Sequence, residues 1–263
     1  MKNIHLYFLI CLAMCFAAAT CQADEINAAD LFNTANQAAI NAEYEKAIPM
    51  YLRIAKSKGV SAQLLYNLAY SYAKTGQTGR AVANYERALR LDPGNEDILA
   101  NLEQVRKDAG LYRDDSPIYT RLAELLCADQ WLMLSATSFL LLAITLIAAQ
   151  TAVSLPPTLL KGLSIGCLVI TLLTLPPALY RYQSWNDGVV TGNDSRLLIS
   201  PFTGADPTGE IKAGRLIRIK QRHGDFVLVE ATTGKTGWLR QDSIISLSEL
   251  TDLTASPKTD ESS

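Results

Sequence analysis

The stretch SAQLLYNLAYSYAKTGQTGRAVANYERALRLDPGN, residues 61–95, decides the fold of the N-terminal half of the chain. Several of its residues repeat residues of the preceding stretch at an offset of 34 positions. The matched pairs are Leu31 and Leu65, Ala35 and Ala69, Ala47 and Ala81, Tyr51 and Tyr85, and Gly59 and Pro93. A period of this length, with small residues at helix crossings and aromatic residues between them, predicts stacked pairs of helices.

The second copy carries the signature of a known helical repeat. Its signature positions hold Leu65, Leu68, Ala69, Tyr72, Gly76, Ala81, Tyr85, Ala88 and Pro93. This pattern resembles the tetratricopeptide repeat (TPR). The first copy has other residues at several of these positions, namely Thr34, Ala38 and Ile54. In the third copy Asn95 is typical of a helix N-cap, and the pattern ends after one helix, so we predict a TPR array with a capping helix over residues 28–110.

The predicted array is short. Each repeat buries its apolar face only against its neighbours, so about two and a half units fall below the three or more needed for independent stability. We therefore expect additional packing on the array. The amphipathic stretch 118–126, or a binding partner, is predicted to cover its end.

The resemblance to TPR proteins implies a binding groove, because in that family the first helices of the repeats build a concave face that binds extended peptides. Asn33, Asn67 and Asn101 occupy the same position of three successive first helices, and their amides can hydrogen-bond a peptide backbone. The predicted groove residues are Asn33, Asn36, Tyr66, Asn67, Tyr70, Lys74 and Asn101. The alternative is that these amides bond to neighbouring turns within the array, since buried amides usually find local partners.

One known type of TPR groove, the carboxylate clamp, grips the C-terminus of an acidic peptide. The chain is similar to it only at Asn36 and Asn67. Phe32, Asp97 and Asn101 stand where lysine or arginine would complete the clamp. A terminal carboxylate is therefore not the ligand that these residues imply.

The N-terminus has the layout of a secretory signal. Lys2 precedes an apolar core, Leu6–Phe16, and small residues follow that core. We predict a signal peptide over residues 1–23, with the mature chain beginning near Thr20 or Asp24. Acylation of Cys21, as in a lipoprotein, is the alternative.

Two uncharged stretches predict a transmembrane hairpin. No charged residue lies between Asp129 and Lys161, and about 20 apolar residues are enough to cross the hydrocarbon core of a membrane. The predicted segments are an amphipathic connector over 111–130, transmembrane helices over 131–151 and 162–179, and a cytoplasmic turn over 152–161. The alternative is a buried helical hairpin of a soluble protein, although such helices rarely lack charge over this length.

The leader, the loop charge and the aromatic residues together predict the orientation of the hairpin. Lys161 lies in a connecting loop that has no acidic residue, which favours the cytoplasmic side. Trp131, Tyr180, Tyr182 and Trp185 would then lie together at the opposite interface, where aromatic rings settle. Both soluble domains are therefore predicted on the periplasmic side of a bacterial inner membrane.

After the second segment the sequence changes to short alternating strands separated by glycines. The predicted strands are Arg196–Ser200, Glu210–Lys212, Leu216–Lys220, Phe226–Ala231 and Thr236–Leu239. A proline in the first loop, Gly214 and the closing Gly237-Trp238-Leu239 make residues 188–247 resemble a bacterial SH3-like domain. That resemblance implies a small β-barrel that binds wall peptides or protein segments, with Trp238 either in a groove or in the core. Residues 248–263, rich in Ser, Thr, Asp and Glu, are predicted to be a disordered tail.

The sequence argues against an enzyme. Outside the predicted leader the only histidine is His223, so a zinc site, a Ser-His-Asp triad or a Cys-His pair would depend on one imidazole. Cys127 and Cys167 form no CxxC motif. A net charge of -2 gives no electrostatic attraction for nucleic acid. No catalytic residue, metal site or cofactor is predicted.

Together these features predict an α + β multidomain membrane protein with an α-helical TPR solenoid, a two-helix transmembrane hairpin and a small SH3-like β-barrel. That order, with LRLDP at 89–93, Trp131 at the helix entry and GKTGW at 234–238, resembles the BatE-like TPR and SH3 membrane proteins of the Bacteroides aerotolerance (Bat) family. The resemblance implies an aerotolerance or envelope-stress complex with membrane proteins that carry von Willebrand A domains and a MoxR-type ATPase. We therefore predict a non-enzymatic scaffold that binds protein partners. A membrane-anchored module that binds peptidoglycan peptides is the alternative.

Overall fold

The computed structural model describes residues 28–111, 123, 125–150, 156–184, 187–193, 195–231, 234–250 and 253. The predicted signal peptide, Trp185 and most of the predicted connector and tail lie outside the described residues. Of the predicted cytoplasmic turn, residues 156–161 are described.

Helices α1 to α5 form the repeat array. They are α1 (28–40), α2 (Tyr44–Lys58), α3 (Ala62–Lys74), α4 (Thr78–Leu91) and α5 (Glu96–Asp108). Side chains cap two of the helix starts: Ser61 Oγ accepts a hydrogen bond from the Leu64 N–H at 3.2 Å. Asn95 Oδ1 accepts one from the Ile98 N–H at 3.2 Å, which confirms the predicted N-cap.

The residues that recur at an offset of 34 positions form the core of the array. The fully buried members are Ala35, Ala69, Ala47, Ala81, Tyr51 and Tyr85. The alanines allow neighbouring helices to cross closely, and the tyrosine rings fill the space between the helices. Each helix from α2 to α4 packs on the helix that follows it, and α3 also contacts α5.

Two further helices, α6 (Ala128–Gln150) and α7 (Pro157–Gln183), are long and apolar enough to cross a membrane. They pack against each other as a hairpin, with most leucines exposed on the outside. The contact between them uses small polar groups: Ser138 Oγ donates to the Cys167 carbonyl at 2.8 Å, and Ser164 Oγ donates to Thr145 Oγ1 at 2.9 Å. This arrangement, apolar outside with hydrogen bonds between the helices, suits a lipid environment.

The C-terminal part forms an antiparallel sheet of seven strands. These are β1 (Asp187–Val190), β2 (Ser195–Leu198), β3 (Pro207–Ile211), β4 (Leu216–His223), β5 (Phe226–Ala231), β6 (Thr236–Arg240) and β7 (Ile244–Ser246). The five predicted strands overlap β2 to β6. Strands β1 and β7, of four and three residues, are too short to show an alternating pattern in the sequence.

The sheet is open rather than closed into a barrel. Its hydrogen-bonded order is β3-β2-β6-β5-β4-β1-β7, and in the described residues β3 and β7 are not paired with each other. The predicted β-barrel is therefore not confirmed. One face of the sheet carries its own apolar core, formed by Val190, Leu197, Ile211, Ile217, Val227, Val229, Ala231 and Leu239.

The sheet also packs on the repeat array. Helix α4 contacts β1 and β7, and Val189, Ile245, Leu247 and Leu253 belong to the same apolar core as the array. The short array thus obtains additional packing from the C-terminal sheet, which the sequence did not predict. Within the predicted cover, 118–126, Ala123 is buried and Leu125 is exposed, while 118–122 and 124 lie outside the described residues.

The predicted disorder of residues 248–263 does not hold for the first residues of that segment. The Glu249 carbonyl accepts a hydrogen bond from Arg87 Nη2, and Leu253 is only 3% exposed. The segment is polar on average, and that average hides Leu253, which belongs to the apolar core of the array. Residues 254–263 lie outside the described residues.

Candidate functional site: the groove face of the array

The predicted groove residues lie on helices that are neighbours in the structure. Asn33 and Asn36 lie on α1, Tyr66, Asn67, Tyr70 and Lys74 lie on α3, and Asn101 lies on α5. Side-chain hydrogen bonds join α1 to α3 and α3 to α5, so the three helices share one face, called here the groove face. Asn33 and Lys74 are exposed, and the other five side chains are half-buried.

An amide pair joins the first two helices of this face. Asn67 Nδ2 donates to Asn36 Oδ1 at 2.8 Å, and the Tyr51 hydroxyl donates to the same oxygen at 2.8 Å. Gln63, one turn before Asn67, donates from Nε2 to Asn67 Oδ1 at 3.0 Å. Burial raises the pKa of Tyr51 to about 12, so its hydroxyl stays protonated and remains a donor.

A second polar contact joins α3 to α5. Asn101 Nδ2 donates to the Tyr66 hydroxyl oxygen at 3.1 Å and to the Asp97 carbonyl at 2.8 Å. The Tyr66 ring stands edge-on to Tyr85, with ring centroids 5.8 Å apart. Burial and the nearby Asp97 carboxylate raise the pKa of Tyr66. The Tyr85 hydroxyl is buried and has no hydrogen-bond partner among the described residues.

Aromatic rings and one cation form the third part of the groove face. The rings of Tyr44 and Tyr70 meet edge-on with centroids 6.0 Å apart. Lys74 Nζ lies 5.2 Å from the centroid of the Tyr70 ring, within the range of a cation–π interaction. The groove face therefore presents amides, tyrosine rings and one lysine.

The amides of the groove face make hydrogen bonds inside the array. Asn67 and Asn101, and also Asn36, have hydrogen-bond partners within the array, although their partners on the neighbouring helices are side chains rather than the turns that the alternative interpretation named for Asn33, Asn67 and Asn101. An amide nitrogen carries two hydrogens, so Asn67 can hold Asn36 and still donate to a ligand. Ligand contact by these residues stays a prediction. Sequence reasoning missed Gln63 and Tyr44, although the four-residue spacing from Gln63 to Asn67 on one helix is a detectable signal.

Trp238, which the resemblance to SH3-like domains suggested as a groove residue, lies on β6. Its neighbours Gly237 and Leu239 are buried on the core side, so the alternation of a strand places Trp238 on the opposite face of the sheet. There its half-buried ring stands edge-on to His223, with centroids 6.4 Å apart. This position is outside the apolar core, and a ligand role for Trp238 stays a prediction.

A cluster of charged groups lies where α4, α7 and β1 meet. Arg90 Nη2 donates to the Ser184 carbonyl at 2.6 Å, and Arg218 Nε lies 3.6 Å from Asp187 Oδ1. Burial raises the pKa of Asp187 to about 6, although Arg218 and Arg90 attract its negative charge. The cluster joins the array to the end of the helical hairpin and to the sheet.

No group of three or more His, Cys, Asp or Glu side chains that could hold a metal ion is found in the described ranges. The polar side chains of the groove face include no carboxylate–histidine or nucleophile–base pair among those residues. The chemistry available there is hydrogen bonding and aromatic packing, which serves binding.

Comparison with protein families identifies the repeat. The family model described as Tetratricopeptide repeat matches residues 62–95, which span α3, α4 and the turn that leads to α5. No curated protein matches the chain. The chain therefore belongs among the proteins that contain a tetratricopeptide repeat, a module of protein–protein interaction.

Proposed function

We propose that the protein is a non-enzymatic membrane scaffold whose repeat array binds an extended segment of a partner protein. The observation that carries the proposal is the groove face on a TPR array. Its amides can pair with a peptide backbone, and its tyrosine rings can pack on apolar side chains of that peptide. Tyrosine supplies contact area at a low cost in conformational entropy, which suits a binding surface.

The contact between α4 and the sheet supports a hairpin that crosses the membrane twice. Helix α4 precedes the two apolar helices in sequence, and β1 follows them, yet Val189 and Ile245 share the core of the array. Two parts that share a core must lie in one aqueous compartment. An even number of crossings between them meets that requirement, and α6 and α7 supply two.

The compartment that we propose is the periplasm, with the hairpin in a bacterial inner membrane. The secretory layout of residues 1–23 and Lys161, which lies near the start of α7 at the connected end of the hairpin, support this orientation. Reporter fusions after residue 154 and after Ser263 test it: the first is expected to be active in the cytoplasm and the second in the periplasm. Activity of both fusions on one side would contradict the hairpin.

The partners that we propose are membrane proteins with von Willebrand A domains, in an aerotolerance or envelope-stress complex served by a MoxR-type ATPase. This proposal depends on the resemblance to the Bat family in the order of segments along the chain. A partner anchored in the same membrane would meet the groove face at a high effective concentration. The interaction could therefore be functional even with a modest intrinsic affinity.

A pair of charge reversals tests the groove. Lys74 is exposed on the groove face, while Lys56 is exposed on α2, outside that face. After mild crosslinking, the tagged full chain carrying Lys74→Glu should recover about tenfold less partner than the wild type, as expected for a loss of about 1.4 kcal/mol. Lys56→Glu, which makes the same change of charge, should recover the wild-type amount. Equal recovery with both variants would contradict binding at this face.

Binding of peptidoglycan peptides by the sheet is a second candidate function. It is favoured by the position of Trp238 on the face opposite the sheet core, where its ring is half-exposed. If this function is correct, the full chain should sediment with insoluble peptidoglycan, and Trp238→Ala should reduce the bound fraction while leaving partner recovery unchanged. Failure of the wild-type chain to sediment would remove this candidate.

A further inference from the structure

Helix α4 has an outer face that the sheet covers. Val189 of β1, Ile245 of β7, Leu247 and Leu253 are buried together with residues of the array. These residues come from a part of the chain that lies more than 90 positions after α4 in the sequence. The apolar core of the array therefore does not end within the array.

Buried hydrogen bonds fix the position of the sheet on α4. Arg87 is only 3% exposed, and its Nη2 donates to the Ser246 carbonyl at 2.6 Å and to the Glu249 carbonyl. A guanidinium is costly to bury unless it is hydrogen-bonded, and these acceptors lie on β7 and on the segment that follows it. Without the sheet, the Arg87 side chain would lose both of these carbonyl acceptors and would be exposed to water. The outer face of α4 is therefore suited to contact with the sheet.

Two glycines allow the backbones to approach. A Cβ atom on Gly79 of α4 would lie 2.5 Å from the Val190 carbonyl oxygen and 2.6 Å from Thr191 Cα. A Cβ atom on Gly214, in the turn before β4, would lie 2.5 Å from Leu111 Cδ1 and 3.2 Å from Thr78 Cγ2. Gly214 has a φ of 84°, which also favours glycine. Both glycines are at the contact between the array and the sheet.

The first repeat supplies an internal control for these observations. At an offset of 34 positions, α2 carries Glu45 where α4 has Gly79, and Arg53 where α4 has Arg87. Glu45 and Arg53 are exposed, whereas Gly79 and Arg87 are buried. The same helix of the same repeat type thus has a solvated outer face in one copy and a covered outer face in the other.

We infer that residues 187–253 complete the fold of the repeat array, so that array and sheet unfold as one cooperative unit and the two apolar helices are an insertion within that unit. The array alone is shorter than a stable array of this type, and the sheet buries the helix that would otherwise expose apolar surface. A peptide that binds the groove face then stabilises the sheet as well, because it binds only the folded unit.

Hydrogen exchange of the full chain in mild detergent, read by mass spectrometry, tests this inference. Leu68 lies in α3 and is fully buried in the array. Leu68→Ala should lower the protection factors of the slowest amides in the array by roughly 30-fold or more. The slowest amides of β4 and β5 should lose protection by the same factor, since they open only in global unfolding.

The reciprocal substitution is Val229→Ala, at a fully buried position of the sheet core. It should lower the protection of α3 and β5 amides equally. Unchanged protection of the sheet in Leu68→Ala, or of the array in Val229→Ala, would overturn the inference, because the two parts would then unfold independently.

A matched pair of arginine substitutions tests the contact itself and does not require a core variant to fold. Arg87→Met removes the donor to the Ser246 and Glu249 carbonyls and keeps a long apolar side chain. It should lower protection in α4 and in β7 by about tenfold or more. Arg53→Met, at the equivalent position of the first repeat, should leave exchange within about twofold of the wild type. Equal exchange in the two variants would count against the contact.

Discussion

The two repeats share one core pattern and differ on both of their faces. On the outer face, Ala83 of α4 is fully buried while the equivalent Pro49 of α2 is exposed. On the inner side, the Tyr51 hydroxyl bonds to Asn36. The equivalent Tyr85 hydroxyl has no partner among the described residues, and Tyr70 stands at the sequence position equivalent to Asn36. The comparison teaches that the repeated core residues determine how the helices pack. The residues that differ between the two copies allow the second repeat to contact the sheet on one side and the aromatic part of the groove face on the other.

The largest expected difference between the repeats is at Gly79. Gly79→Ala gains up to about 1 kcal/mol of helix propensity. Its Cβ atom, however, would lie 2.5 Å from the Val190 carbonyl oxygen. Because that oxygen belongs to the backbone, it cannot easily move away to relieve the clash. We expect a net loss of about 2 kcal/mol or more in the free energy of unfolding. Glu45→Ala, at the equivalent exposed position of α2, should change that free energy by less than about 0.5 kcal/mol. Thermal unfolding of the full chain in detergent, followed by circular dichroism, measures both; equal melting temperatures would show that α4 and β1 do not approach closely.

The next difference concerns charge at the ends of α2 and α4. Arg90 of α4 lies near the half-buried Asp187, whereas the equivalent Lys56 of α2 is exposed. An acid with a pKa of about 6 in the folded protein, against about 3.9 when unfolded, binds its proton more tightly in the folded state. The contribution of Asp187 to the free energy of unfolding is therefore most favourable below about pH 4, and this stability is lost as the pH rises from about 4 to about 6.

Asp187→Asn should accordingly stabilise the protein at pH 7.5 by about 1–2 kcal/mol, with the gain disappearing toward pH 4. The raised pKa of Asp187 already includes the attraction of Arg218 and Arg90, which lowers that pKa, and the repulsion of Glu86, which raises it. Asp206→Asn, which removes one carboxylate from an exposed loop, serves as the control for the change in net charge. Melting temperatures of the three proteins between pH 4 and pH 8 give the comparison; a destabilised Asp187→Asn at pH 7.5 would mean that the ion pair outweighs burial.

The array could be predicted from the sequence because its core obeys the repeat. The offset of 34 positions in the sequence identifies the alanines and tyrosines that are buried in both copies. The contact with the sheet could not be predicted in this way, since Arg53 and Arg87 are the same residue type and only one of them is buried. One signal was available: Gly79 lies inside α4, and a glycine inside a helix usually has a packing reason.

Strands β2 to β6 of the C-terminal sheet were predictable from the sequence, but strands β1 and β7 and the open order of the sheet were not. Long strands such as β4 and β5 show alternation and turn glycines, whereas β1 and β7 are formed by pairing that joins residues far apart in sequence. Local patterns contain no information on such pairing. In the groove, residue type and helix position predicted which side chains share a face. Their internal bonds, such as Asn67 to Asn36, depend on distances that the sequence does not give.

A smaller difference is expected from the two buried tyrosine hydroxyls. Tyr51→Phe removes a donor to Asn36 Oδ1 and should lower the free energy of unfolding by about 1 kcal/mol. Tyr85→Phe removes a buried hydroxyl that has no partner in the described part of the chain, so it should leave that free energy unchanged or raise it slightly. Denaturant unfolding of both variants measures the difference. If Tyr85→Phe also lowered the free energy of unfolding by about 1 kcal/mol, which is the order of one net hydrogen bond, that hydroxyl would have a partner.

The smallest effect comes from making the second repeat resemble the first. Tyr70→Asn places an amide at the position of Asn36, where it can accept a hydrogen bond from the Tyr85 hydroxyl, and removes the ring that packs on Tyr44 and Lys74. Because the gained and lost contacts are of similar size, we expect little change in stability from the single substitution. A double-mutant cycle with Tyr85→Phe isolates the new bond: the coupling energy should be about 0.5 kcal/mol in the Tyr70→Asn background. Zero coupling would mean that the Tyr70→Asn amide and the Tyr85 hydroxyl do not form the bond that Asn36 and Tyr51 form in the first repeat. The two repeats would then differ in backbone position as well as in side chains.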